Sequence, residues 1–231
     1  MNQPLQTGFT GYAGEVTSVE QRNRVLRNTY WLLALSMVPT VLGAWIGVST
    51  GITRAMGPGM SAIVFLGGAF GFMFAIEKTK NSASGVPVLL GFTFFMGLML
   101  SRLIGVVLGM NNGAGLIMTA FTGTGVIFLG MASLSSVIKR DLSSMGKFLF
   151  IGMIMLIVAG LANIFIQSSA LMITISVIAI GIFSAFILHD LKRVKDGEET
   201  NYISATLGVY LSLYNVFQSL LSILGIAGSS D

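Results

Sequence analysis

The chain has 231 residues, of which 54% are hydrophobic and only 10% are charged, with a formal net charge of +4. A soluble domain carries roughly 25% charged residues, so the composition indicates a membrane protein. Cysteine is absent and His189 is the single histidine, which excludes disulfide frameworks, thiolate nucleophiles, cysteine-bound metals and multi-histidine metal sites. We therefore expect no cofactor and no metal. Nucleic-acid binding is not expected either, because no basic cluster is presented by a soluble fold.

Seven apolar segments are predicted to cross the bilayer as helices, each of which needs about 20 largely apolar residues. They are residues 29–48, 61–76, 86–108, 116–137, 148–167, 170–188 and 205–226. The second is short, and we expect it to begin nearer Ala55. Only two residues separate the fifth and sixth segments, which forces an antiparallel hairpin. The sequence thus predicts one all-α membrane domain over residues 29–228.

Residues 1–28 precede the first span and form the predicted N-terminal tail. They are mostly polar and lack the apolar core of a secretory signal peptide. We expect this tail to be flexible and to remain attached.

Lysine and arginine are distributed very unevenly between the two sides that seven spans define. Short cytoplasmic loops retain these residues. Arg54 alone lies on the side opposite the tail, and Arg102 lies inside the third span. The sequence therefore predicts a cytoplasmic N-terminus and a C-terminus on the other side. The eleven on the cytoplasmic side are Arg22, Arg24, Arg27, Lys78, Lys80, Lys139, Arg140, Lys147, Lys192, Arg193 and Lys195.

Glycine occupies 29 positions, nearly twice the usual share of about 7%. Pairs of glycines four residues apart lie on one helix face, where neighbouring backbones can approach closely. We expect packing roles for three such pairs. They are Gly43 with Gly47, Gly67 with Gly71, and Gly105 with Gly109. Nucleotide binding is not expected, because no G-x-G-x-x-G or Walker sequence occurs.

Arg102 is the one charge inside a predicted span, where a charge is a functional candidate by default. It lies 15 residues after Pro87, which is about 22 Å along the helix and towards the non-cytoplasmic side. Two interpretations stay open. The side chain snorkels to the outer headgroups, or it contacts a pore or a partner.

Asp190 follows the sixth span at its cytoplasmic end, with basic residues one turn away. It is either part of an interfacial ion pair or a functional carboxylate. Pairing with Arg102 is excluded, because roughly 20 Å of membrane depth separates the two. His189 either tunes the charge of Asp190 or only forms a hydrogen bond. The better-placed cationic partners for Asp190 are Lys78, Lys139 and Arg140.

The seventh span is the most polar. Five small or polar residues spaced 4, 3, 4 and 3 apart share one helical face, which must face protein or water. They are Gly208, Ser212, Asn215, Ser219 and Ser222. A second row consists of Tyr210, Tyr214 and Gln218. Because little of the circumference suits lipid, we expect this helix to be central, with the stripe used for packing or for a hydrated path.

Several stretches resemble the Bax inhibitor-1 family of seven-helix membrane proteins, and within it the proteobacterial YccA branch. The resemblance covers essentially the whole chain beyond the tail, and it implies a fold with the last helix at the centre. The stretches are RVLRNTY at 24–30, GLANIF at 160–165, EETNYI at 198–203, YLSLYNVF at 210–217 and LLSILG at 220–225.

The resemblance implies a passive calcium leak that is gated by pH through two aspartates near the cytoplasmic ends of the last two helices. The first aspartate falls on Asp190. The second falls on Ser212, where calcium-leak members have aspartate, and a serine cannot share a proton with a carboxylate. The family's basic partner on the second span falls near Glu77 and Lys78. The candidate pH-sensing and ion-path residues are therefore Asp190, His189, Ser212 and Asn215.

The YccA branch implies a second role, because its members interact with the membrane-anchored ATP-dependent protease FtsH as substrate and modulator. The flexible tail would give such a protease a handle. We expect a protein of the bacterial inner membrane, with a periplasmic C-terminus, whose partners are the lipid bilayer, FtsH and, in the alternative function, Ca²⁺. An enzyme is not expected, because Asp190 is a single acid and His189 is interfacial.

Overall fold

The computed structural model describes residues 18–228, and secondary structure within that range is exclusively helical. Seven of its helices, all except the short α2, are long and apolar enough to cross a membrane. The predicted class, an all-α integral membrane protein with seven spans, is confirmed. The helices are α1 (Val19–Thr50), α2 (Ile52–Ala55), α3 (Pro58–Thr79), α4 (Gly85–Leu108), α5 (Gly113–Val137), α6 (Met145–Ile166), α7 (Ser169–Asp196) and α8 (Tyr202–Gly228).

The first helix begins earlier than the sequence pattern predicts. Ser18 caps it by accepting a hydrogen bond from the Gln21 amide at 3.1 Å, and Val25 packs in a small core with Val194 and Ala205. Residues 19–28, assigned to the tail by their polarity, are therefore helical because α7 and α8 bury one face of them. The predicted flexibility of residues 1–17 concerns a segment that lies outside the described residues.

The α6–α7 connection is the tight antiparallel hairpin that its two-residue spacing predicts. Gln167 adopts a left-handed conformation with φ of 53°. The Asn163 side chain accepts a hydrogen bond from the Ser168 amide at 3.1 Å, and the Ser168 hydroxyl accepts one from the Leu171 amide at 3.2 Å. The second bond caps the beginning of α7, and the first ties the end of α6 to that cap, so the buried Asn163 has a structural role.

The last span, α8, is the central helix, as predicted. It contacts α1, α3, α4, α5 and α7. Its Val209, Val216 and Leu221 are fully buried, whereas helices on the outside expose large apolar side chains such as Trp31 and Phe150. Exposed apolar surface on spanning helices is the surface that lipid covers.

Close packing of α1 against α4 depends on glycine. A Cβ added at Gly43 would overlap the carbonyl oxygen of Phe94, and one added at Gly97 would overlap the carbonyl oxygen of Thr40. The predicted close approach at Gly43 is thus confirmed. The prediction of close packing is wrong for the pair Gly67 and Gly71, around which the described chain leaves open space.

Candidate functional site

One end of the bundle gathers most of the charged residues, and we call it the basic end. It joins the beginnings of α1 and α8 to the ends of α3, α5 and α7. The Arg22 guanidinium donates to the carbonyl of Lys195 at 3.2 Å, and the Lys195 ammonium donates to the Ser135 hydroxyl at 2.8 Å. Asn201 donates to the carbonyl of Lys80 at 3.1 Å. The first two bonds connect α1 to α7 and α7 to α5, and the third connects the end of α3 to the beginning of α8.

Asp190 lies on α7 about 32 Å from the beginning of that helix, close to the basic end. Its side chain is 18% exposed. The carboxylate packs against the backbone of α8, because a Cβ added at Gly208 would lie 2.7 Å from Asp190 Oδ2. Gly208 is the first member of the polar stripe on α8, so the acid meets the central helix where that stripe begins.

His189 is buried beside Asp190 and forms the polar contact that the structure gives this acid. Its Nδ1 lies 3.2 Å from Asp190 Oδ1. On its other side, His189 Nε2 would lie 2.9 Å from a Cβ added at Gly146, in the first turn of α6. The imidazole thus fills the space between α6 and the carboxylate, and two glycines make room for the pair.

The basic residues of the next turn pair with other acids. Lys192 Nζ lies 2.5 Å from Asp196 Oδ2, and Arg193 Nε lies 3.5 Å from Glu198 Oε2. Asp190 therefore does not form the interfacial ion pair with this turn that the sequence allows. Its polar partner is His189 instead.

The candidate charge partners on other helices also have different surroundings. Glu77 pairs with Lys80 on its own helix at 2.6 Å, and Lys78 Nζ lies 4.5 Å above the Phe74 ring. Arg140 is exposed in the α5–α6 connection. The structure brings none of Glu77, Lys78 and Arg140 into an ion pair with Asp190, because the first two lie on the exposed face of α3.

The polar stripe on α8 is buried at Ser212 and Ser219, within the expectation that it faces protein or water. Ser212 lies one turn after Gly208 on the same face and is 3% exposed. Asn215 donates to the carbonyl of Leu211 at 2.8 Å. Ser212 therefore lies one turn along α8 from the residue that Asp190 contacts. Within residues 18–228, no three His, Asp or Glu side chains are close enough together to hold a metal ion.

Arg102 lies near the other end of the bundle, apart from Asp190. Its Nη1 donates to the carbonyl of Met56 and to the hydroxyl of Ser61, each at 3.4 Å. Both bonds are at the long limit of hydrogen-bond geometry, and both acceptors are neutral.

Two features of the basic end are not predicted in the sequence analysis. Lys192 is only 8% exposed, and its spacing of four residues from Asp196 is the signal that could have found their pair. Gly146 gave no signal, because its importance depends on His189 reaching it from another helix.

A bundle of seven apolar helices with one of them at its centre, and with a buried histidine beside a partly buried aspartate at its charged end, defines a multi-pass α-helical membrane protein. Residues 22–229 match the family model described as "Inhibitor of apoptosis-promoting Bax1". The chain belongs to this family, which confirms the resemblance to Bax inhibitor-1 proteins.

Individual relatives support the YccA branch. The chain is 37% identical over 211 residues to the "Modulator of FtsH protease YccA" of Escherichia coli, covering 91% of this chain and 94% of that protein. A second strain's protein at the same identity is named "Inner membrane protein YccA". A Vibrio cholerae "Uncharacterized membrane protein" is 40% identical over 232 residues, which cover 100% of both chains. The protein is thus a multi-pass inner-membrane protein.

Proposed function

We propose that this protein is an interaction partner, a substrate and a modulator of the FtsH protease, and that it acts by binding rather than by catalysis. The observation that carries the proposal is the 37% identity over 91% of the chain to a protein named as a modulator of FtsH. The similarity covers both the basic end and the membrane core.

The proposal places the basic end in the cytoplasm, with the N-terminus inside and the C-terminus in the periplasm. The asymmetry of Lys and Arg supports this orientation, since they concentrate at one end of the bundle. Alkaline phosphatase fused after residue 228 should be active, because it would be exported, and the same enzyme fused before residue 18 should be inactive. The reverse pattern of activities would overturn the orientation.

The role as a substrate predicts that the residues before α1 serve as the handle for the protease. Deletion of residues 2–17 should slow turnover of the protein in cells that contain FtsH, while Ser18 still caps α1. Half-lives are measured after translation is stopped, and association is measured by co-purification with a proteolytically inactive FtsH.

The control is a chain in which residues 2–17 are replaced by a Gly/Ser segment of equal length. Restored turnover in this control would show that an accessible length of chain is sufficient. Equal half-lives for the wild type and the deletion would contradict the handle. Failure of the wild type to co-purify with FtsH would contradict the modulator function as a whole.

A second candidate function, a pH-sensitive passive calcium or cation leak, is favoured by the contact of Asp190 with His189 and with Gly208 of the central helix. The experiment is calcium flux into liposomes that contain the purified protein at pH values from about 6 to 8, the range in which a histidine titrates. Asp190→Asn should change the flux or its pH dependence, whereas Glu20→Gln, at an exposed acid of the same end, should not.

The Ser212→Asp variant distinguishes a leak that needs only Asp190 from a leak that needs two acids. Flux in the wild type that Asp190→Asn alters would indicate that one acid is sufficient. Flux that is gained only in Ser212→Asp would indicate that this chain lacks the second acid that a leak requires. Absence of flux from all variants would reject the leak function.

A further inference from the structure

A cavity of about 380 Å³ lies beside the central helix, in the half of the bundle away from the basic end. Ser61 and Phe65 of α3, Arg102 and Leu103 of α4, and Gln218 of α8 contribute to its lining. Gln218 is exposed although it lies on the central helix, because the cavity reaches it. The cavity therefore combines one cation and several polar groups with an apolar wall.

The cavity opens sideways between spanning helices. Val106 of α4 and Met172 of α7 also line it, and they are 52% and 39% exposed. In a spanning helix, a large exposed apolar side chain faces lipid. A lipid chain in the surrounding leaflet thus has direct access to this space.

The positive charge in the cavity has no protein anion within the described part of the chain. Arg102 reaches only the two neutral acceptors, at 3.4 Å. A second cation lies close by, because Arg54 packs on Gly105, one turn after Arg102. The acidic residues of the described chain belong to the basic end instead. They are Glu20, Glu77, Asp141, Asp190, Asp196, Glu198 and Glu199.

We propose that this cavity binds an anionic phospholipid from the surrounding leaflet. The guanidinium of Arg102 donates to the phosphate oxygens in the forked geometry that arginine makes with phosphate. One acyl chain lies along Phe65 and Leu103 and leaves between α4 and α7. The volume is near the lower end of the range for small-molecule sites, roughly 300–1,000 Å³, which suits a phosphate and the first part of one chain.

Net charge selects an anionic lipid over a zwitterionic one. A choline or ethanolamine headgroup brings its own ammonium, which Arg102 in the cavity and the nearby Arg54 would repel, with no carboxylate of the described residues to balance it. Phosphatidylglycerol carries the same phosphate without that cation. Tighter binding of phosphatidylglycerol than of phosphatidylcholine is therefore the result that the site predicts.

The test is native mass spectrometry of the full-length protein in detergent, titrated with phosphatidylglycerol or with phosphatidylcholine of identical acyl chains. Arg102→Gln should weaken retention of phosphatidylglycerol about tenfold, which is the effect of losing charge-assisted hydrogen bonds. Lys78→Gln, which removes an exposed cation at the basic end, is the matched control and should bind like the wild type. Equal retention by Arg102→Gln and the wild type, or equal retention of the two lipids, would overturn the proposal.

A second variant and a competitor identify where the phosphate comes from. Ala62→Phe narrows the cavity without changing its charge and should also lower retention of phosphatidylglycerol. If this variant does not fold, competition between inorganic phosphate and phosphatidylglycerol for the wild-type protein is sufficient for the test. Retention that persists in millimolar phosphate supports a lipid ligand, whereas full displacement by inorganic phosphate would overturn it in favour of a free anion.

Discussion

The carboxylate of Asp190 lies against the backbone of Gly208, so that a Cβ at position 208 would be 2.7 Å from Oδ2 and 3.3 Å from Cγ of the acid. This contact joins α7 to the central helix at the beginning of its polar stripe. His189 holds the acid from the other side, with Nδ1 3.2 Å from Oδ1. The position of the Asp190 carboxylate is therefore set by two neighbours. Gly208 on α8 leaves room for it because it has no side chain, and the imidazole of His189 contacts it on α7.

Gly208→Ala should destabilise the protein by about 1 kcal/mol, the lower end of the range for overpacking, because the new methyl group displaces the end of the partly buried Asp190 side chain and not a backbone atom. Asp190→Ala removes the atoms that the new methyl group would meet. In that background the cost of Gly208→Ala should fall to near zero, since alanine is otherwise the better helix former. Thermal unfolding of the four proteins in one detergent gives this double-mutant cycle, whose coupling measures the contact.

Gly181→Ala is the control, since it lies on the same helix as Asp190 and its added Cβ would meet open space. It should leave the unfolding temperature unchanged or raise it slightly. Losses of equal size at positions 181 and 208, or additive effects in the cycle, would contradict the contact between Asp190 and Gly208.

The seven spans are predictable from sequence because about 20 apolar residues in a row have few structures available other than a membrane helix. The beginning of α1 is not predictable in this way. Residues 19–28 are polar, and Val25 becomes helical and buried because Val194 and Ala205 pack on it. Such contacts join residues far apart in the chain, and local periodicity does not contain them.

The same distinction applies to the candidate site. Asp190 and Arg102 stand out in sequence because charge is expensive near or within a span. The space that Gly146 leaves for His189, and the cavity beside Arg102, depend on how neighbouring helices are placed. Sequence thus identifies the charged residues, and only the packing shows what each of them contacts.

Gly97→Ala should destabilise the bundle by about 1–3 kcal/mol or more, because its methyl group would meet the backbone carbonyl of Thr40 rather than a flexible side chain. Helix α1 would have to move away from α4. The unfolding temperature in detergent measures the loss.

Gly67→Ala is the matched control on α3, where an added Cβ has open space. It should be neutral or stabilising. Equal stability of Gly97→Ala and the wild type would show that α1 and α4 are not in close backbone contact in the membrane.

Tyr210→Phe should cost about 1 kcal/mol, because it removes a buried hydroxyl that connects three helices. The Thr40 hydroxyl donates to the Ser36 carbonyl at 2.8 Å, which leaves it able to accept from the Tyr210 hydroxyl at 2.8 Å. The Thr93 carbonyl is a second acceptor at 3.3 Å.

Thr40→Val should give a similar loss, and the two losses should not add in the double variant, because both remove the same bond. Unfolding temperatures of the two single variants and the double variant provide the measurement. Tyr202→Phe, a tyrosine in the first turn of the same helix, serves as the control and should leave stability unchanged. Fully additive losses would contradict the bond between Thr40 and Tyr210.

Asp141, in the connection between α5 and α6, should titrate below its ordinary range. Hydrogen bonds from the Ser143 hydroxyl and then from the Ser143 amide, the latter at 2.8 Å, lower the pKa of this carboxyl because they favour its charged form. A carboxylate whose folded-state pKa is lowered stabilises the fold at pH values above its unfolded pKa of about 3.9. That contribution is lost as the pH falls through the lower folded-state pKa.

Ser143→Ala removes the hydroxyl and keeps the amide, so it should raise the pKa of Asp141 part of the way towards its ordinary value. The titration is followed by the carboxyl carbon resonance of aspartate-labelled protein between about pH 2 and pH 6, a window that spans the ordinary value. Ser144→Ala changes the next serine, whose hydroxyl does not cap α6, and should leave the titration of Asp141 unchanged. An ordinary pKa for Asp141 in the wild type, or equal shifts in the two serine variants, would show that the Ser143 hydroxyl does not hold this carboxylate.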